Sequence, residues 1–587
     1  MAKLAAEALI ERLIDWGVDT IFGLPGDGIN GIMEGLRRHQ DRLRFVLVHH
    51  EEAAAFMATG YAKSTGRLGV CLATSGPGAI HLLNGLYDAK LDHAPVLAIT
   101  GMQESQMLGT GYQQEVALEK LYMDVAEYNQ MIHVPAQVPT LVDLAVRHAL
   151  ARRTVSHLTI PTDVQIADAD AQPYSAPAPA TILPTAAIFL PAPGVPRPTD
   201  VAAAAAVLNQ GAKVVMLVGA GALGARDEVL AAADLLASPI VKTLPGKAVV
   251  NDDDPLTIGG IGLLGTAPAE EAMESCDTLL MVGTNFPYTK YLPEPGSCKV
   301  VQIESDPIRA GNRLPTDVPM IGDAKESLRA LTPHLTRQPD RDFLARAQKG
   351  MGQWRERMRA LESITADPIQ PQFLMSVIDR LASDDAILTS DSGTIATWAA
   401  RHFEIRGERE FYLSGNLATM APGLPYTIAN QLAHPDRQCI AFVGDGGFAM
   451  LMAEFATACR YRLPITVFIN NNSSLGQILW EQMVLGYPEF GVRFEQRADF
   501  APWAEACGGR GIRVDKADEL ERAVTEALSH PGPSLVDVSV NVDEPPMPGK
   551  VTYEQAKGLL KSFLSGQPRK GSIARTLFRD KWSEATG

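Results

Sequence analysis

Asp445 lies in the glycine turn that opens "GDGGFAMLMAEF", and 27 residues later Asn472 closes the asparagine run of "FINNNSS". A carboxylate, a side-chain amide and the backbone carbonyl of Ser474 make three hard oxygen donors, half of an octahedron. Mg²⁺ takes such a set when phosphate oxygens and water complete it. Gly444, Gly446 and Gly447 let the backbone approach phosphates, and a helix beginning near Phe448 would turn its positive end toward them. Read separately, GDGG is only a turn and NNN only a strand end. Their spacing joins them into a diphosphate site held through a metal ion. An EF-hand is excluded, because the D-x-[DN]-x-[DN]-G loop is missing.

The elements that must position this pair follow from the same stretch. "CIAFV" reads as a strand, "FAMLMAEFATACRY" as an apolar helix and "ITVFI" as a second strand. Such a unit returns the chain in parallel, so both turns reach one edge of the sheet. The alternation recurs along the chain, with "RFVLV", "LGVCLA", "APVLAIT", then "VVMLV", "PIVK", "TLLMVG", "KVVQI", then "AILTS" as further buried strands. It predicts α/β architecture with three doubly wound parallel-sheet domains at 1–170, 195–335 and 365–547. Proline-rich or charged joints fill 171–194 and 336–364, and a tail spans 548–587.

The chain has 587 residues, 46% of them hydrophobic and 20% charged, which suits several globular domains. Its net charge of -16 excludes general affinity for nucleic acid. Six cysteines without a C-x-x-C pair read as buried thiols of a reducing cytosol. The N-terminal run mixes charges with helically spaced Leu and Ile, as a surface helix does, and no segment is apolar for the roughly 20 residues that span a bilayer.

The GDG-to-NN spacing resembles the motif of thiamine diphosphate enzymes, and "VLVHHEEAAAFMATGYAKSTG" resembles its counterpart, with Glu51 after a strand and His50. Alone, Glu51 would be a helix N-terminal acid, with Glu52 equally eligible. The likeness covers about 550 residues. It is nearest to the pyruvate oxidase group, the bacterial pyruvate:quinone oxidoreductases, in "SGPGAIHLLNGLYDAKLDHAPVLAIT", "GTNFPY", "TSDSGTIATWAARH" and "GDGGFAMLMAEF". The resemblance implies a first domain for the pyrimidine, a central FAD-binding-like domain and a third for the diphosphate. It implies that Glu51 protonates the pyrimidine, that Met420 folds the cofactor, that the backbone of Ala418 receives its amine, and that Gly26, Pro77 and Asn84 also contact it. Met420 alone would be a core methionine.

The second domain carries Gly219, Gly221 and Gly224 in G-x-G-x-x-G spacing, but no acid ends the following strand to bind an NAD ribose. "GIGLLG" (Gly262, Leu263), "GTNFPY" (Gly283, Thr284, Asn285, Phe286) and "QIESDP" (Glu304, Asp306), with Asp323, instead resemble FAD-binding loops, the alternative being a domain that has lost its nucleotide.

Two positions depart from the family. In "GTGYQQEVALEKL" Gln113 replaces an aromatic residue before Gln114 and Glu115, and Gln477 replaces phenylalanine in "NNSSLGQILWEQ", where Trp480 and Glu481 are further lining candidates. Amides there make a more polar pocket, and leave open a different substrate or the same chemistry with a different lining. The resemblance implies oxidative decarboxylation of a 2-oxo acid, pyruvate first, with electrons passed to quinone or oxygen. Its rival is a carboligase of the acetolactate synthase type, and a silent scaffold is a third possibility. The family shares Glu51 across a dimer and often forms tetramers. From Lys557 onward the tail has seven basic and two acidic residues, with Ile573, Leu577, Phe578 and Trp582 interleaved. It reads either as a peripheral contact on the inner face of the cell membrane or as a helix packed over the site or a partner subunit.

Overall fold

The computed structural model describes residues 3–169, 193–549 and 552–586. Among these, strands form three six-stranded sheets in which every neighbouring pair is parallel. The first contains β1 (Thr20–Gly23), β2 (Arg44–Leu47), β3 (Gly69–Ala73), β4 (Val96–Met102), β5 (Tyr128–Met131) and β6 (Val155–Pro161), in the order β2-β1-β3-β4-β6-β5. The second contains β7 (Val214–Val218), β8 (Ile240–Lys242), β9 (Thr257–Gly260), β10 (Thr278–Val282), β11 (Lys299–Glu304) and β12 (Val318–Ile321), ordered β12-β11-β10-β7-β8-β9. The third contains β13 (Ile387–Ser390), β14 (Glu410–Tyr412), β15 (Cys439–Gly444), β16 (Thr466–Asn471), β17 (Arg510–Val514) and β18 (Ser534–Ser539), ordered β14-β13-β15-β16-β18-β17.

Parallel neighbours need crossovers, and the crossover helices cover both faces; hence β3, β4, β7 and β10 are buried at every residue. Each sheet has a point from which the chain builds outward in opposite directions, between β1 and β3, β7 and β10, or β13 and β15. Loops leaving such strands diverge and open a crevice at the carboxyl edge. Gly26 and Gly76 flank the first crevice, Gly219 and Gly283 the second, Asp391 and Asp445 the third.

The helix Glu51–Thr65 of the first domain packs on Gly423–Ala433 of the third. Phe56 meets Tyr426 edge to face at 6.3 Å, and Gly60 is required there, since a Cβ would sit 2.9 Å from the Tyr426 ring. The two domains therefore share one hydrophobic cluster, while the central domain has two clusters of its own.

The helix read through "FAMLMAEFATACRY" starts at Asp445 and is two helices, Asp445–Leu451 and Glu454–Arg460. Met452 and Ala453 have ψ near -25° and accept from residues three ahead, so the turn tightens instead of continuing. "RFVLV" is an edge strand and only partly buried. Within the joint 336–364, Asp342–Glu362 forms a helix that buries Met351, Trp354, Met358 and Leu361 against the central domain. The segment 171–194 lies outside the described residues except for its last two. Of the six thiols, Cys71, Cys276 and Cys439 are buried; Cys298, Cys459 and Cys507 are half-buried, correcting the expectation that all are core.

The tail forms the helices Tyr553–Leu564 and Lys570–Thr586. Ile573 is fully buried with Leu479, Trp480, Met483 and Val492, and Leu577 packs beside it, so the tail lies on the helix Gly476–Val484. Trp480 belongs to this cluster. Phe578 is 69% exposed, and the side chains of Lys581 and Trp582 lie outside the described residues. Among the described residues no helix is long and apolar enough to cross a membrane.

Candidate active site

Asp445 begins its helix directly after β15 and is 5% exposed. Burial pushes its carboxyl up to about 7, although the N–H groups of Asp445, Gly446 and Asn472 pull the other way. Asn472 follows β16, and its Oδ1 accepts from the Ser474 N–H at 3.1 Å across Ser473, which turns at φ 50°. Ser474 Oγ and Gln477 Oε1 are buried without a partner. The fold thus brings together Asp445, Asn472 and Ser474, oxygen donors with unspent capacity. This set fits a hard divalent cation, whose charge would favour the ionised form of Asp445.

Gly446 supplies the cradle. A Cβ on it would lie 3.4 Å from Met420 Cε and 3.2 Å from Leu475 Cδ2, so Met420 stands directly over the GDGG turn. Met420 is carried by a loop with two left-handed alanines, Ala418 (φ 55°) and Ala421 (φ 82°), a conformation costing about 1 kcal/mol or more per residue. Asp391 holds that loop. Its Oδ1 accepts from Gly423 N–H at 2.8 Å, while Oδ2 is buried without a partner and would be overlapped by any Cβ at Gly447. Burial pushes Asp391 up to about 7 as well. Sequence reasoning passed over it, though an acid directly after β13 was a usable signal.

The first domain assembles a second group. Glu51 is the first residue of its helix and is buried, with His50 as N-cap. His81 Nδ1 lies 2.9 Å from Glu51 Oε2, and the His81 ring stacks on His50 at 4.6 Å. His81, too, had no role in the sequence reading. Gly78 approaches within a Cβ distance of 3.1 Å of Glu51 Oε1, and Pro77 starts the short helix to His81. Gln114 is left-handed (φ 61°) and packs on Gly76, with Ser75 Oγ 3.4 Å from its Oε1. Gln113 is exposed. Glu115 accepts three loop N–H groups, from Gly109, Gly111 and Tyr112. Gly26 packs against Thr74. Asn84 donates to Glu52 Oε1 at 2.6 Å and to Thr419 Oγ1 at 3.3 Å. Among the described residues no hydrogen bond joins Glu51 to the Asp445–Asn472 group.

On the third domain Gln477 and Glu481 occupy one helix face, Gln477 Nε2 donating to Glu481 Oε1 at 3.0 Å. Gln477 thereby presents its unpartnered oxygen.

In the central domain Gly219 and Gly221 pack on the backbone of Gly283, Gly219 also against the Thr284 side chain, and Gly221 N–H donates to Gly283 O at 2.9 Å. The helix starts only at Arg226, after a 3₁₀ turn, so Gly224 (φ 80°) sits in a bend and not in a dinucleotide-type helix start. Asn285 Oδ1 is buried and unpartnered, Phe286 lies 3.1 Å from a Cβ at Gly262, and the Leu263 carbonyl is held by Arg401 at 3.1 Å. Glu304 is buried at the end of β11 and accepts from Asp306 N–H; Asp306 also pairs with Arg309. Asp323 caps the helix Ala324–Leu331. The orphaned Asn285 oxygen and the open left-handed Gly224 fit a nucleotide lying over this edge, while Asp306 and Asp323 already have local partners.

Three family models match the chain: the thiamine pyrophosphate enzyme N-terminal TPP binding domain over residues 4–121, the central domain over 201–331 and the C-terminal TPP binding domain over 391–538. The chain is 42% identical over 570 residues to a thiamine pyrophosphate-containing protein of Bacillus subtilis, covering 96% of this chain and 97% of that one. It is 32% identical over 557 residues to the pyruvate oxidase of Lactiplantibacillus plantarum, covering 94% and 91%. It is 33% identical over 558 residues to the acetolactate synthase of Arthrospira platensis, covering 92% and 94%. With three parallel-sheet domains, a glycine turn beneath Met420 and this likeness from end to end, the chain belongs to the thiamine pyrophosphate enzymes of the acetolactate synthase-like superfamily.

Proposed function

We propose that the chain uses thiamine diphosphate, Mg²⁺ and FAD to decarboxylate a 2-oxo acid oxidatively, pyruvate first, passing the electrons to quinone or oxygen. The observation that carries this reading is the meeting of Asp445, Asn472 and Ser474 under Met420, in a chain similar over its length to a pyruvate oxidase. When bound, thiamine diphosphate supplies a carbon nucleophile that adds to the ketone and takes up the electron pair released with CO₂. The side-chain oxygens of Asp445 and Asn472 and the carbonyl of Ser474 would hold Mg²⁺, and through it the diphosphate. Ala418 and Met420 would orient the rings. Glu51 would hold a proton at the pyrimidine, with His81 fixing its carboxylate. Gln477 would offer its free oxygen to substrate, steadied by Glu481, with Gln113 and Gln114 from the first domain opposite. FAD would lie over Gly219, Gly283, Asn285 and Glu304.

That no hydrogen bond among the described residues joins the Glu51 and Asp445 groups supports a dimer with shared sites, in which one chain's Glu51 completes the partner's metal site. Exposed apolar residues adjoin both groups: Ile80 and Tyr112 beside the first, Met450 and Ile478 beside the second. Pairing of copies would cover them, and a tetramer would follow from pairing two such dimers.

A second reading is carboligation with a structural flavin, favoured by the equal likeness to an acetolactate synthase. Anaerobic stopped-flow absorbance with pyruvate separates them. Rapid loss of the oxidised flavin band is expected; CO₂ and acetolactate without bleaching would establish ligation, and no CO₂ would move the search to other 2-oxo acids.

A further inference from the structure

The turn that presents Glu51 is held from outside its own domain. β2 is the edge strand of the first sheet, so one side of its backbone has no strand partner. The third domain supplies partners from a single helical face. Tyr461 Oη accepts from Leu47 N–H at 2.8 Å and donates to Phe45 O at 3.4 Å. Glu454 Oε1 accepts from the N–H groups of both His49, at 2.9 Å, and His50, at 3.0 Å. Thr457 Oγ1 donates to Glu454 Oε2 at 2.7 Å and lies 2.9 Å from His49 Nδ1. Spaced i, i+3 and i+7, the three residues line one stripe.

Glu454 is completely buried. A carboxylate in that position costs several kcal/mol unless its oxygens are bonded, and here they are bonded to the two peptide groups immediately before Glu51. Burial raises the Glu454 pKa, and the His49, His50 and Thr457 bonds oppose that rise. Packing alone would be served as well by a leucine. The acceptor is what the turn needs, because a leucine there would set an apolar side chain against the His49 and His50 N–H groups that Glu454 now accepts.

We infer that Glu454 is a positioning residue for Glu51: by accepting the His49 and His50 N–H groups it fixes the turn from which the Glu51 carboxylate projects toward His81. The inference rests on the reading that Glu51 acts on bound thiamine diphosphate. It also gives the break after Leu451 a purpose, since the tightened turn separates the helix that starts at Asp445 from the one that grips the Glu51 turn.

The test compares Glu454→Gln, Glu454→Leu and the milder Thr457→Val in the full chain. Three quantities are read: deuterium exchange at C2 of bound thiamine diphosphate, its dissociation constant with Mg²⁺, and amide hydrogen exchange over residues 44–56 without cofactor. A misplacement of about 1 Å at a reacting group costs up to about 10²-fold. Glu454→Leu should therefore slow C2 exchange about tenfold or more, with cofactor affinity changed less than about threefold and faster amide exchange at 47–52. Gln keeps an acceptor oxygen and turns its amide to the Thr457 hydroxyl, so it should stay within about threefold of the native rate. Loosened amides with native C2 exchange in Glu454→Leu would overturn the inference, as would a Gln variant as slow as Leu. If the Leu variant does not fold, Thr457→Val decides, and native values in both exchanges overturn it. If the native chain binds no thiamine diphosphate, the proposed function fails on its own; amide exchange then decides whether Glu454 holds the turn, and unchanged protection overturns it.

Discussion

Two buried carboxyls in the third domain, Asp445 and Asp391, both stand near 7, well above the ordinary 3.8. A carboxyl raised in the folded state binds its proton more tightly folded than unfolded. Its contribution to stability is complete below pH 4 and is lost as the pH rises through 7. Metal-free protein should therefore melt at a lower temperature at pH 8 than at pH 5.5, and Mg²⁺ with thiamine diphosphate should flatten the difference; calorimetry across that range checks both. At Gly447 any side chain overlaps Asp391, so Gly447→Ala should cost about 1–3 kcal/mol and weaken diphosphate binding, measured by thermal denaturation and titration. In the first domain, Glu51→Gln should slow C2 proton exchange by about 10²–10⁴-fold, read by NMR after acid quench. Asp445, Asn472 and Ser474 could be read from the sequence because residue type and spacing carry coordination chemistry. Asp391 offered only its place directly after β13, and His81 and Glu454 could not be read, because their partners are backbone groups or side chains brought near only by the fold.

At the scale of elements, the strands that the sequence made legible were continuous apolar runs such as "VVMLV", buried on both faces. Several others were hidden for physical reasons. β1 and β14 are three or four residues long, β5 and β17 are polar edge strands, and β18 contains the buried Asp537, which pairs with Asn471 and Arg497. The tail was read either as a membrane contact through its basic face or as a helix packed over the site or a partner subunit, and Ile573 and Gly558, which packs against the Val484 carbonyl, dock it on Gly476–Val484. Ile573→Ala should cost the docked tail about 2–5 kcal/mol, because the cavity opens against Trp480 and Met483. Hydrogen exchange over 553–580 should then rise sharply while the central sheet is unaffected; unchanged protection would show that Arg569–Asp543 and Arg579–Glu544 hold the tail by themselves.

At the scale of the whole molecule, the first and third domains share a core, against which the central domain sets only the partly buried Leu244, Ala248 and Leu264. The junction is also polar. Lys63 is buried among Asp92 at 2.7 Å, Tyr426 Oη and Leu413 O, while Asp92 accepts from Gly415 and Asn416 at the start of the loop that carries Met420. Helix Glu51–Thr65 is thus gripped by the third domain at both ends, through the Glu454 turn and through Lys63. Calorimetry should resolve two unfolding units, with thiamine diphosphate and Mg²⁺ raising the joint transition and FAD the other. One transition moved equally by every ligand would contradict the division.

The shared core has a consequence for biosynthesis. The apolar face of Glu51–Thr65 leaves the ribosome long before Gly423–Ala433, the helix that covers it. At about 5–20 residues per second that interval is roughly 20–70 s, and until it ends the face of Phe56 and Gly60 that meets Tyr426 lacks its cover. The newborn first domain therefore exposes that face to solvent for the whole interval. Ribosome-bound chains arrested before residue 400 should be cleaved within 51–65 by added protease, and those arrested well beyond 433 should be protected.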